Sequence, residues 1–200
     1  MQSLHYQRHF LTLIPAAMLL WLITTVEDAV PPSTGRWVLF FGAMGALHSA
    51  SLVLSLRDKS AIAPAKAIIF ITLVSAVSVF APFTPLFSLA LTPFGGDSPR
   101  LLFALTFASA FGASAYWLLL RFFWLRSLRF ANLATTIAMC CSATLLGWFG
   151  AAWLASGQPL STPGRSQILR RFLAWWVAFS LSLYCGDAQW RIGRSLSAIQ

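Results

Sequence analysis

His48 is the residue in this sequence best suited to chemistry. It lies about the middle of an apolar run, Trp37 to Leu56, where an ionisable side chain is expensive and points by default to function. A neutral imidazole there can bind a metal or haem, relay a proton, or hydrogen-bond a neighbouring helix, and the last is the plainest reading. The other two histidines, His5 and His9, sit before or at the first apolar run, so the second imidazole of a bis-histidine haem site is not expected within the chain. Glu27-Asp28 are the one adjacent acidic pair. Two carboxylates can bind a cation, share a proton, or pair with an arginine such as Arg36 or Arg165, and a solvated or paired loop is the simpler expectation. His48, Glu27 and Asp28 are therefore the candidates for a ligand or proton site. Asp187 and Arg191 have the acid-before-base spacing of a helical ion pair, a structural role.

Cys140-Cys141 are adjacent inside another apolar run, and Cys185 stands near the end of the last. Thiolates suit soft metals. With no CxxC and no second pair, however, these cysteines read as small apolar residues, and neither a metal site nor a cofactor is expected. Ser114, in Phe111-Gly112-Ala113-Ser114-Ala115, is locally similar to the Gly-x-Ser context of rhomboid-type intramembrane serine proteases. That chemistry also needs a histidine on a late helix to activate the serine, and the last apolar run has none, so the likeness ends there and no catalytic residue is assigned. The acidic, Arg/His and Gly-rich arrangements that handle phosphate or lipid phosphoesters are likewise missing.

The elements that position these residues follow from composition. Of 200 residues, 58% are hydrophobic and 10% charged, where a soluble domain carries about a quarter charged. The net charge of +9 is distributed in short basic clusters between apolar runs, which argues against a nucleic-acid partner. Crossing about 30 Å of hydrocarbon takes roughly 20 mostly apolar residues in a helix. Six stretches approach that: about 10–26, 37–56, 65–91, 101–120, 133–155 and 172–187. The expected fold is thus an all-α polytopic transmembrane bundle of six spans, a single integral membrane domain over residues 1–200. Pro82 and Pro85 should kink or end the third span, and its remainder can form a separate interfacial segment. The first run is read as an uncleaved helix, because the acidic pair follows it in place of an Ala-x-Ala cleavage pattern.

With the amino terminus inside, the inner segments hold Arg8, Arg57, Lys59, Lys66, Arg121, Arg126, Arg129, Arg191 and Arg194. The outer loops hold Arg36, Arg100, Arg165, Arg170 and Arg171. Positive loops stay cytoplasmic, so both termini are expected in the cytoplasm; the alternative is five spans with the last segment lying on the surface. Gly42 with Ala46, Gly112 and Gly147 are expected to mark close helix packing. Arg121, Arg126 and Arg129, interleaved with aromatic residues, are expected to contact anionic lipid headgroups.

Partners are accordingly the lipid bilayer and a membrane protein or a second copy of the chain. The Ala/Leu/Arg-rich composition suggests a bacterial inner membrane. Two functions fit: a non-enzymatic subunit of a membrane transport or assembly complex, or a small self-contained transporter or intramembrane enzyme with a polar cavity around His48.

Overall fold

The computed structural model describes residues 5–27, 34–56, 62–81, 99–126, 128–154 and 173–185. They form six helices, with no strand among the described residues: α1 (Tyr6–Glu27), α2 (Thr34–Leu54), α3 (Pro64–Phe80), α4 (Pro99–Phe123), α5 (Phe130–Leu154) and α6 (Leu173–Cys185). The helical class expected from the sequence is the observed one.

Prolines set several boundaries. Pro64 and Pro99 open α3 and α4, where a missing N–H costs nothing and the fixed φ suits the first turn. Ala63, the residue before Pro64, is extended (φ −66°, ψ 127°), as its position ahead of a proline requires. At the other end α3 stops at Phe80, and Ala81 donates its N–H to the Val77 carbonyl just ahead of Pro82. The interruption expected at Pro82 therefore falls where the helix ends, and residues 82–91 of that predicted span lie outside the described residues. Pro15, by contrast, sits inside α1 without ending it. A helix in an apolar setting tolerates this, since the freed carbonyl finds other partners.

α1 packs on α2, α2 on α3, α3 on α4 and α4 on α5. α6 is central: its side chains meet α1 through His9 and Ser180, α2 through His48 and Trp176, α4 through Tyr116 and Phe179, and α5 through Thr136 and Ser182. Phe179, Ser180 and Ser182 are fully buried. The described part of the last helix is thus packed among four others.

The distribution of polarity is inverted relative to a water-soluble domain. Ser49, Ser51, Ser55, Thr136, Ser180 and Ser182 are buried. Leu11, Met18, Trp21, Ile68, Phe80, Phe122, Phe130 and Leu146 are each more than half exposed. Among the described residues one stretch, Phe130–Gly147, is long and apolar enough to cross a membrane, with a mean hydropathy of 1.4 and 11% of it buried; Val38–Leu54, Pro64–Phe80 and Leu173–Cys185 are shorter apolar helices.

Candidate site: a buried histidine pair

α1 and α2 are separated by a short connection, so they run antiparallel, and His9 near the start of α1 comes opposite the last turns of α2. There the His9 and His48 ring centroids are 6.0 Å apart. Both residues are essentially fully buried. His9 is bonded on both sides: Nε2 lies 2.8 Å from Ser180 Oγ and Nδ1 lies 3.3 Å from Ser51 Oγ. The hydroxyl of Ser180 donates to the Trp176 carbonyl (2.8 Å), so its oxygen accepts from His9, which assigns the His9 proton to Nε2. Nδ1 is then an acceptor, and the Ser51 hydroxyl donates to it.

Further hydroxyls extend this contact towards the end of α2. Thr12 Oγ1 lies 2.8 Å from Ser51 Oγ and 3.2 Å from Ser55 Oγ. The His5 backbone N–H donates to the Ser55 carbonyl (2.9 Å), pinning the start of the chain to the same turn.

His48 is held differently. Its ring stacks on Trp176 at 5.0 Å and 7°, with Tyr116 edge-on at 5.2 Å and Phe179 at 5.8 Å. Neither ring nitrogen, nor the Tyr116 hydroxyl beside it, has a hydrogen-bond partner among the described residues. Leaving such atoms unpaired in a core costs about 1–3 kcal/mol each; the buried indole N–H groups of Trp117 and Trp124 are likewise unpartnered among the described residues.

The other expected site residues lie elsewhere. Glu27 is the last residue of α1, eighteen residues beyond His9, or about 27 Å along the helix at 1.5 Å per residue, and Asp28 lies outside the described residues. Glu27 and His9 thus stand near opposite ends of α1. Ser114 and Ser49 donate to carbonyls of their own helices, at Ala110 and Gly45. Ser109 instead accepts from Trp175 Nε1 and Thr144 Oγ1, both at 3.0 Å, joining α4, α5 and α6. Cys140 is buried and Cys141 faces the Thr106 carbonyl at 3.6 Å. No group of three or more metal-ligating side chains occurs among the described residues.

Among the small residues, a Cβ at Gly42 would meet Val79 at 3.7 Å, whereas Gly112 faces Trp175 and Ala81 at 3.9 and 4.0 Å. Ala46 and Gly147 are half-buried. The closest approach belongs to Gly45, where a Cβ would stand 2.9 Å from Ser75 Cα. At the opposite end of α4, Arg121 lies over the Phe130 ring at 4.7 Å and Lys66 over Trp124 at 4.6 Å, while Arg126 and Arg129 are exposed.

His9 is the functional candidate that sequence reading missed. Its signal is the Tyr6 start of α1, which draws His9 into the helix, together with the antiparallel register that brings it to Ser51. No protein-family model, no curated protein and no solved structure matches the chain.

Proposed function

We propose that the chain is a multi-pass protein of a bacterial inner membrane, with six spans and cytoplasmic termini, serving as a non-enzymatic subunit of a membrane transport or assembly complex. The observation that carries this reading is the inverted polarity: buried hydroxyls inside, and large apolar side chains outside on all six helices. In water such a surface would aggregate; against lipid tails or partner helices it is at no disadvantage. Length supports it for four helices, since 22, 21, 25 and 25 residues in α1, α2, α4 and α5 reach about 30 Å or more, whereas α3 and the described part of α6 are shorter.

The subunit reading draws on how the interior hydroxyls are used. Ser114, the serine whose sequence context suggests a nucleophile, donates to a carbonyl of its own helix, as does Ser49, and Ser109 serves bonds between helices. Interior polarity of this kind holds a scaffold together. A second reading, a self-contained transporter or intramembrane enzyme around His48, is favoured by one observation, the proximity of His9.

The test is purification of the tagged full chain from its native membrane in mild detergent, followed by mass spectrometry. Proteins co-purifying in fixed stoichiometry are the expected result. A chain that emerges alone and monodisperse, at every detergent mild enough to keep known complexes intact, overturns the subunit reading.

A further inference from the structure

Building on the membrane reading above, we infer that one end of the bundle binds the headgroups of acidic phospholipids, and that Lys66 of α3 completes this surface beside Arg126 and Arg129 of the α4–α5 connection.

Several helix ends meet there. The start of α1 is tied to the end of α2 by the His5 N–H on the Ser55 carbonyl, and to the end of α6 by the Tyr6 hydroxyl on the Leu183 carbonyl. The start of α3 meets the end of α4, where Lys66 Nζ stands 4.6 Å from the centre of the Trp124 ring. Leu56, Phe70, Trp124, Leu128 and Leu183 share one core cluster beneath them. Among the described residues this end carries five basic residues, Arg8, Lys66, Arg121, Arg126 and Arg129, and no acidic one. The other end has Arg36 and Arg100 in the first turns of α2 and α4, with Glu27 closing α1.

The cations at the first end are seated on rings rather than on carboxylates. Lys66 rests on Trp124, and Arg121 on Trp117 and Phe130. A ring face holds a cation without using up its N–H donors, so the ammonium of the exposed Lys66 keeps hydrogens for an acceptor. Its position adds to this. Lys66 is the third residue of α3, whose first turn has no acidic residue, and the amino end of a helix disfavours a cation and favours an anion. An anion held by Lys66 at that end removes the conflict. Arg126 and Arg129, both exposed, follow Trp124 by two and five residues.

The surroundings of the cations select a lipid over an acidic protein or a nucleic acid. Ile68 and Ile69 follow Lys66, Phe122 and Phe130 flank the connection, and all four are more than half exposed. Cations bordering an exposed apolar band match a membrane surface, where phosphate lies directly above hydrocarbon. An acidic lipid supplies both the acceptor oxygens and the net negative charge; a zwitterionic one supplies the oxygens but cancels the charge.

The test uses the full chain, delipidated in mild detergent and offered equimolar phosphatidylglycerol and phosphatidylcholine, with bound lipid counted by native mass spectrometry. The wild-type chain is expected to prefer phosphatidylglycerol at least about tenfold, and Lys66→Gln and Arg126→Gln should each lower that ratio about fivefold. Lys66→Arg should keep the ratio, and Arg36→Gln at the other end should leave it unchanged. If Lys66 served only the Trp124 ring, Lys66→Gln would lower stability alike in both lipids without moving the ratio. That result overturns the inference, as does an equal loss of preference in Arg36→Gln. Equal retention of the two lipids by the wild type also overturns it, while leaving the membrane reading intact; if an acidic protein then co-purifies with the wild type and is lost from Lys66→Gln, the surface is a protein site. A chain that retains neither lipid and stays dispersed without detergent refutes the membrane reading itself, a different outcome from equal retention. Should the Lys66 variants fail to fold, Arg126→Gln decides the question.

Discussion

Replacing Gly45 by alanine tests the packing of α2 on α3 more sharply than any other change. The new Cβ would stand 2.5 Å from Ser78 Oγ, 2.9 Å from Ser78 Cβ and 2.9 Å from Ser75 Cα. Carbon atoms rest at about 3.5–4.0 Å, so the contacts are short by more than half an ångström. Rotating Ser78 removes only the hydroxyl clash, because the other two atoms move with the backbone of α3. The helices must separate, and overpacking of this kind costs about 1–3 kcal/mol. Alanine also favours the helix over glycine by about 1 kcal/mol, which blurs the sign of the single change. Gly42→Ala provides the correction: it lies on the same helix, gains the same propensity, and places its Cβ 3.7 Å from Val79, an ordinary contact. The two variants should therefore differ by about 2 kcal/mol, roughly 30-fold in the unfolding equilibrium, with Gly45→Ala the weaker. Reversible unfolding in mixed micelles, followed by tryptophan fluorescence, measures the difference directly. Equal stability of the two, or a more stable Gly45→Ala, would refute the close approach of α2 and α3.

Ser109→Ala removes the acceptor shared by Trp175 and Thr144 and should cost about 0.6–1.7 kcal/mol in the same unfolding assay, with the Trp175 indole N–H resonance displaced. Trp176→Ala empties the ring stacked on His48 and packed among the α1 and α2 residues Leu13, Leu20, Phe41 and Met44; a loss of about 3–5 kcal/mol is expected. For the basic loop the expectation separates two roles. Arg121→Gln loses its contact with Phe130 and should lower stability by about 0.5–1 kcal/mol in nanodiscs of any lipid. Arg126→Gln and Arg129→Gln, both exposed, should instead lower only the extra stability conferred by phosphatidylglycerol over phosphatidylcholine, and equal losses in the two lipids would remove their headgroup role.

The helical class was legible because apolar runs and prolines act locally. Pro64 opens α3 as its position in the sequence suggests, and the helix ends at Phe80, two residues ahead of Pro82 in the sequence. Which residues meet was harder to read, because in an apolar bundle the outside is as hydrophobic as the inside, and periodicity no longer marks the buried face. Gly42 and Gly45 illustrate this. Both belong to the same small-residue stretch, but only the facing atoms of Ser75 and Ser78 make Gly45 the point of closest approach. His48 stands out by type alone, since an imidazole in an apolar run is rare. His9 does not, because it stands at the edge of its apolar run, between Arg8 and Phe10, and its burial depends on α6, 171 residues away at Ser180.

That long-range bond explains why α6 carries so much of the interior although only Leu173–Cys185 of it is described. An apolar helix gains little from burial when its alternative is lipid, so burial alone cannot place it at the centre. What α6 contributes is specific pairing: Ser180 to His9, Ser182 to Thr136, Trp175 to Ser109 and Trp176 to His48, directed to four different helices. Each of these bonds is modest, but together they define one rotation of α6 about its axis, since turning it by a single residue would move all four partners out of reach. The same requirement fixes the His9 tautomer, because Ser180 can accept from His9 only while its own hydrogen serves the Trp176 carbonyl. Packing and the histidine pair are therefore one arrangement, and a change that rotates α6 must alter both.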